Sequence, residues 1–231
     1  MGSPEDSITD GPAFSFSDGV WPDISRRRQD WPVSPAAKFP ARATAPDHGC
    51  AGATHRAFFV VRADFPARRL EDLRGAVFLL NSPLSNSGMN LPRRALAEIA
   101  GGKSVFRQVI ETGGHPASLE RLLRGEGDVA SIDCVTYAFW RHYRPEAATQ
   151  VRVVGETPSS PSIPFVTSIA TPSSIVPILR NALHRVATDP RYTAARAGLM
   201  ISGVEDVPDG AYRGLLDYEK QAAALGYPQL L

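Results

Sequence analysis

Long apolar runs are missing from this 231-residue chain. None approaches the roughly 18 residues that a membrane span requires, so no membrane insertion is expected. A large excess of one charge is missing too. Lys plus Arg number 25 and Asp plus Glu 24, a net charge of +1, which lacks the electrostatic footprint of a nucleic-acid partner. Cysteine is scarce: Cys50 and Cys134 lie far apart without metal-type spacing, and the sequence leaves open whether they pair. The first thirty residues contain Pro4, Pro12, Pro22 and several Asp but no apolar core segment, so no secretory signal is read there.

Several catalytic and cofactor motifs are absent as well. No His/Glu pair has zinc-protease spacing, no Gly-x-Gly-x-x-Gly follows a strand, and no Gly-x-Ser-x-Gly elbow exists. Gly102-Lys103-Ser104 imitates the end of a phosphate-binding P-loop. However, Ala97 stands where the first Gly belongs, and the tripeptide ends a helix instead of following a strand. No cofactor and no metal is therefore expected.

What is present is most telling between Asn81 and Ala100. Ala76–Leu80 is a run of apolar residues that enters a cluster of Ser, Asn, Pro and Gly, and Leu91, Ala95, Leu96 and Ile99 follow at helical spacing. This order reads as buried strand, tight polar loop and helix. One of Ser85, Asn86 or Ser87 suffices to cap the helix. The loop also offers Ser82 and Asn90, an excess that suits a small oxyanion held by hydroxyls and first-turn N–H groups.

Along the chain, residues 1–47 are rich in Gly, Pro, Ser and Asp, with no period of two or of 3.6, and read as an irregular arm. Arg26, Arg27 and Arg28 there read as a solvated run. Ala57–Val61 reads as a buried strand, and Pro66–Gly75 as a short helix with Leu70 and Leu73 inward. A strand at Val105–Ile110 leads to Gly114-His115-Pro116 and a helix to Arg124. A strand at Val129–Ile132 leads to Asp133 and another helix. Strands are read at Val151–Glu156 and Phe165–Ala170, and helices at Ile175–Thr188, Pro190–Leu199 and Tyr212–Leu225. The strand-to-helix junctions at Ser85–Gly88, His115 and Asp133 are expected to converge on one sheet edge, where open α/β sheets bind ligands.

Five segments carry a resemblance: Phe58-Phe59-Val60-Val61-Arg62-Ala63-Asp64, Leu70-Glu71-Asp72-Leu73-Arg74-Gly75, Ser85-Asn86-Ser87-Gly88, Gly114-His115-x-x-Ser118-Leu119 and Asp128-Val129-Ala130-x-Ile132-Asp133. In this order and spacing the chain resembles, over about residues 46–231, the phosphate/phosphite/phosphonate-type substrate-binding proteins of ABC transporters. The resemblance implies an α/β, type II periplasmic-binding-protein-like two-lobed fold that closes on an oxyanion, with an ABC transporter permease as partner and a periplasmic location. It implies no enzymatic activity. Ser85, Asn86 and Ser87 would grip phosphoryl oxygens, His115 would donate to an anionic oxygen, and Asp133 would face the ligand. A carboxylate beside an anion repels it unless the ligand offers a proton, as phosphite, hydrogen phosphate and protonated phosphonates do and sulfate does not. The plainer readings are a helix N-cap for Asp133 and a capping or surface histidine for His115.

Two departures shape the expected organisation. Residues 1–47 do not resemble the family's opening strand–helix–strand unit, and His55 stands where an aromatic precedes the first matched strand. The division expected is an arm at 1–47, a partial first lobe from 48–75 and 151–231, and a second lobe at 76–150. The alternatives are a truncated copy that folds without binding, a binding protein for a sulfonate or a thiamine-precursor pyrimidine, and a hydrolase using Ser87, His115 and Asp133.

Overall fold

A computed structural model describes residues 33–38, 52–167 and 171–230, with main chain alone at 33–38 and at 209. The described strands are β1 (Val33–Lys38), β2 (Thr54–His55), β3 (Ala57–Arg62), β4 (Val77–Leu80), β5 (Gln108–Glu111), β6 (Val129–Asp133), β7 (Val151–Glu156), β8 (Ser160–Pro161), β9 (Pro164–Val166) and β10 (Gly203–Glu205). The α-helices are α1 (Leu91–Ala100), α2 (His115–Leu123), α3 (Cys134–Tyr143), α4 (Pro145–Ala148), α5 (Ile175–Thr188), α6 (Thr193–Gly198) and α7 (Asp209–Ala224).

A five-stranded sheet in the order β5-β4-β6-β3-β7 forms the larger body. Strand β4 runs parallel to β5 and β6, while β3 runs antiparallel to β6 and β7. Its central strands are apolar on both faces because both are covered. Alternate residues serve opposite sides, as the two-residue period demands. Phe59, Val61, Phe78 and Leu80 pack in one core with Leu96 and Ala97 of α1. Phe58, Val60, Leu79 and Ile132 pack in the other with Leu119 and Leu122 of α2 and Trp140 of α3. In the first core the Phe78 and Phe106 rings stack with centroids 4.7 Å apart. Helix α1 stops at Gly101, whose φ of 61° is the left-handed conformation that glycine adopts at least cost.

A three-stranded antiparallel sheet, β10-β1-β9, forms the smaller body. The ladder β2–β8, with Thr54 opposite Pro161 and His55 opposite Ser160, lies where the chain passes between the two sheets in each direction. Helix α7 returns to the larger body. There Ala222 joins the core of α1 together with Tyr227 and Leu230, and Arg94 Nε donates to Gln221 Oε1 at 2.7 Å.

Several sequence expectations are corrected here. Within the arm, Val33–Lys38 is a strand: with Pro35 in it and a register shift between Val33 and Ala36, it shows no period. The rest of 1–47 lies outside the described residues. Strands β3 and β7, assigned to the first lobe, belong to the same sheet as the strands of 76–150. An apolar run reports that a strand is buried but not which strands flank it. The third strand begins at Gln108 instead of Val105, and Val105 and Phe106 are core residues that precede it. Helix α1 is preceded by a π-helical turn, Asn86–Asn90. Residues 168–170 of the expected strand Phe165–Ala170 lie outside the described residues.

Helix α5 has its expected boundaries, and its apolar face carries no buried residue; Ile178 is 61% exposed. Cys134 is disulfide-bonded, and the other cysteine of the chain, Cys50, lies outside the described residues. Burial pushes the Tyr227 hydroxyl up to about 12, and that hydroxyl donates to the Leu230 carbonyl at 2.9 Å. Among the described residues no helix is long and apolar enough to cross a membrane.

Candidate functional site

Strands β4 and β6 end side by side, so the segments that follow them, together with the one that follows β5, meet at one edge of the larger sheet. Ser85, Asn86 and Ser87 come from the loop after β4. His115 is the first residue of α2, and Asp133 is the last of β6. All five are buried, none more than 3% exposed.

The loop is shaped by its own side chains. Ser85 is extended and accepts from the Gly88 N–H at 2.8 Å, which caps the π-helical turn. Ser85 Oγ also accepts from Asn81 Nδ2 at 3.0 Å, and it lies 3.4 Å from Ser87 Oγ. Gly88 is required for space: a Cβ there would fall on the Asn81 carboxamide. From below, Ser131 of β6 donates to the Ser87 carbonyl at 2.7 Å. The N–H groups of Asn86 and Ser87 are the first of this turn, where helical bonding provides no acceptor.

His115 Nε2 is the meeting point. It lies 2.9 Å from Ser87 Oγ, 3.3 Å from Asn81 Nδ2 and 3.5 Å from Asp133 Oδ2. Asp133 uses its other oxygen, Oδ1, to accept from the N–H groups of Val135 and Thr136 at 3.0 and 2.9 Å. The N-cap and the approach to His115 are thus two uses of one carboxylate. In a hydrolytic relay the base needs one ring nitrogen for the nucleophile and the other for the carboxylate. Here hydroxyl and carboxylate both face Nε2, so the Ser87, His115 and Asp133 side chains are not arranged as such a relay.

Asn86 turns away from this point. Its Nδ2 donates to Ser160 Oγ at 3.3 Å, and its Oδ1 accepts from Asn90 Nδ2 at 3.0 Å. Asn90 Nδ2 also donates to the Leu215 carbonyl of α7 at 3.0 Å.

Asn81, Ser131 and Ser160 join the cluster without having been singled out by local sequence reading. Asn81 follows the last apolar residue of β4, and Ser131 is a polar residue inside an apolar strand. Both are local signals, a polar residue at a strand end and one in the middle of an apolar strand. Ser160 gives no local signal, since it reaches the loop from 74 residues away. Among the described residues no group of His, Cys, Asp and Glu side chains is placed to hold a metal ion.

The family model for the periplasmic substrate-binding protein of phosphonate ABC transporters matches residues 28–212. Among solved structures, a binding-protein component of an ABC phosphonate transporter from Pseudomonas aeruginosa matches with a TM-score of 0.74 and 17% identity, covering 90% of this chain and 68% of its own. PhnD1 from Prochlorococcus marinus, in complex with methylphosphonate, matches with a TM-score of 0.71 and 13% identity over 88% of this chain and 76% of its own. XAC2383 from Xanthomonas citri, bound to chloride ion, matches with a TM-score of 0.66 and 18% identity over 90% and 75%. At these identities the likeness establishes the fold, which is of the type II periplasmic-binding-protein class. Among curated proteins none matches this sequence.

Proposed function

This chain belongs to the family of periplasmic substrate-binding proteins of phosphonate ABC transporters, and from that membership we propose that it captures phosphate, phosphite or a phosphonate for the permease of an ABC importer. The observation that carries the reading is the meeting of Ser85, Ser87 and His115 at one sheet edge, on a helical turn whose first N–H groups have no helical acceptor. Such groups hold oxyanions. In this reading Ser85 and Ser87 contribute hydroxyls, Asn86 contributes its main-chain N–H, and His115 donates to an anionic oxygen. Asp133 Oδ2, beside Nε2, accepts from a protonated ligand oxygen and disfavours sulfate.

Two further facts support it. A disulfide at Cys134 suits an oxidising compartment such as the periplasm. Ser87 also bonds to Ser85 and His115, so an entering oxyanion replaces Ser87–His115 and Ser85–Ser87 contacts in a place shielded from water, where hydrogen bonds to charge are strongest.

One observation favours a second reading, a folded copy that does not bind. Closure of two bodies on the ligand is what desolvates it, and in the smaller body α5 has no buried residue. Thermal unfolding against phosphate, phosphite, methylphosphonate, aminoethylphosphonate and sulfate separates the two. At ~100 times its dissociation constant a ligand adds about 2.7 kcal/mol, several degrees for a protein of this size. A shift with a phosphorus oxyanion and none with sulfate upholds the binding reading. A cooperative transition that no anion moves upholds the second.

A further inference from the structure

Ser160 is where three parts of the chain touch. Its hydroxyl lies 3.3 Å from Asn86 Nδ2 and 2.9 Å from His55 Nδ1. His55 Nδ1 is also 3.1 Å from the Pro161 carbonyl. A carbonyl oxygen can only accept, so Nδ1 carries the hydrogen, and Ser160 Oγ accepts from both the imidazole and the carboxamide. Asn86, His55 and Ser160 are at most 3% exposed, which removes water as a competing partner.

The position of this cluster gives it meaning. His55 and Ser160 are a directly opposed pair in the β2–β8 ladder, the double crossing between the five-stranded and three-stranded sheets. The ladder carries two of the chain's passages between those sheets, and the approach to α7 carries another. On its other side Asn86 Oδ1 accepts from Asn90, which donates to α7 at the Leu215 carbonyl. The Asn86 side chain is thus held at both ends by protein, one residue from each of the two site hydroxyls.

We propose that Asn86 is a positioning residue: through Ser160 and His55 it ties the oxyanion loop to the crossing strands, so that the setting of the two sheets fixes where the Ser85 and Ser87 hydroxyls stand. This rests on the oxyanion-binding reading above. It assigns the Asn86 side chain to coupling and leaves ligand contact to its main-chain N–H. Closing the sheets and gripping the anion are then one event, which makes grip conditional on closure.

The test uses the full chain as wild type, Ser160→Ala, Asn86→Ala, the double variant and Ser160→Thr, which keeps the hydroxyl. Two readouts are taken: calorimetric affinity for phosphate, phosphite and methylphosphonate, and amide hydrogen exchange of residues 85–90 without ligand. Each alanine variant is expected to weaken binding ~10-fold, the scale of one lost buried hydrogen bond. The double variant should be no weaker than Asn86→Ala alone, because that variant already severs the link that Ser160→Ala removes, and Ser160→Thr should stay near wild type. Exchange at 88–90 should quicken in Ser160→Ala while amides of β4 and β6 keep their protection, a local opening that general destabilisation would not give. Additive losses, or unchanged affinity and exchange in Ser160→Ala, overturn the proposal. If wild type binds none of the three anions, the oxyanion reading fails. The tie itself is then decided by exchange alone, supported by local quickening and overturned by its absence.

Discussion

Ser87 Oγ and His115 Nε2 stand 2.9 Å apart although 28 residues of chain separate them. The two are brought together by the parallel pairing of β4 with β5 and of β4 with β6, and the Ser87 main chain is held in place by Ser131. The hydroxyl is the adaptable partner at Nε2, since it can give or take a hydrogen while the Asn81 amide and Asp133 carboxylate cannot exchange roles.

Removing that hydroxyl should therefore affect binding more than folding. In Ser87→Ala the unfolding midpoint without ligand should fall by only a few degrees, in line with about 1 kcal/mol for one hydrogen bond. The shift caused by a phosphorus oxyanion should disappear. Full retention of the ligand shift in a melting assay would remove Ser87 from the site.

Asp133 separates capping from selectivity. Asn is as good an N-cap as Asp, so Asp133→Asn should keep its bonds to Val135 and Thr136 and nearly all of the stability. Asp133→Ala should cost about 1 kcal/mol. With the charge gone and an N–H available, Asp133→Asn should bind sulfate within ~10-fold of phosphate. An equilibrium competition series reads this directly, and persistent rejection of sulfate would leave Asp133 as a cap alone.

Gly88 and Asn81 should be energetically coupled. A Cβ at position 88 falls on the Asn81 carboxamide, so Gly88→Ala should cost about 1–3 kcal/mol through overpacking. In an Asn81→Ala background most of that cost should vanish. Urea unfolding of the two single variants and the double variant completes the cycle, and equal costs in both backgrounds would mean that Gly88 is needed for another reason.

Tyr227 should make the protein sensitive to alkali. Burial raises its hydroxyl from 10.0 to about 12. Above pH 10 the unfolded chain loses this proton while the folded one keeps it, so the stabilisation present below about pH 10 is lost as pH rises towards 12. Tyr227→Phe should flatten this part of the decline in urea midpoints. Parallel pH profiles for the two proteins would show that the phenol does not contribute.

The gathering of the candidate residues was more legible in the sequence than the body that carries them. The loop 85–88, His115 and Asp133 were legible because each sits at the end of an apolar run, where periodicity breaks and polar residues cluster. The partners of β3 and β7 were not legible. Continuous apolar runs look alike in any interior position of a sheet, and strand order is set by long-range pairing. The docking of α7 on α1 was hidden for the same reason. Its amphipathic pattern announced an apolar face, while the Arg94–Gln221 and Asn90–Leu215 bonds that choose its neighbour span more than a hundred residues. Asn86 was legible as part of a polar loop, but its attachment to Ser160 depends on the ladder partner of His55, which no local pattern encodes.

The core beneath α1 is not complete until Ala222, Tyr227 and Leu230 are in place, although the last strand of its sheet ends at Glu156. At the roughly 5–20 residues per second of synthesis, a nascent chain waits about 4–15 seconds between finishing that sheet and being able to seal it. During this interval the part of the core that Ala222, Tyr227 and Leu230 complete is open to whatever captures unfolded chains, and the order of manufacture makes the sealing of α1 the last step in building the larger body.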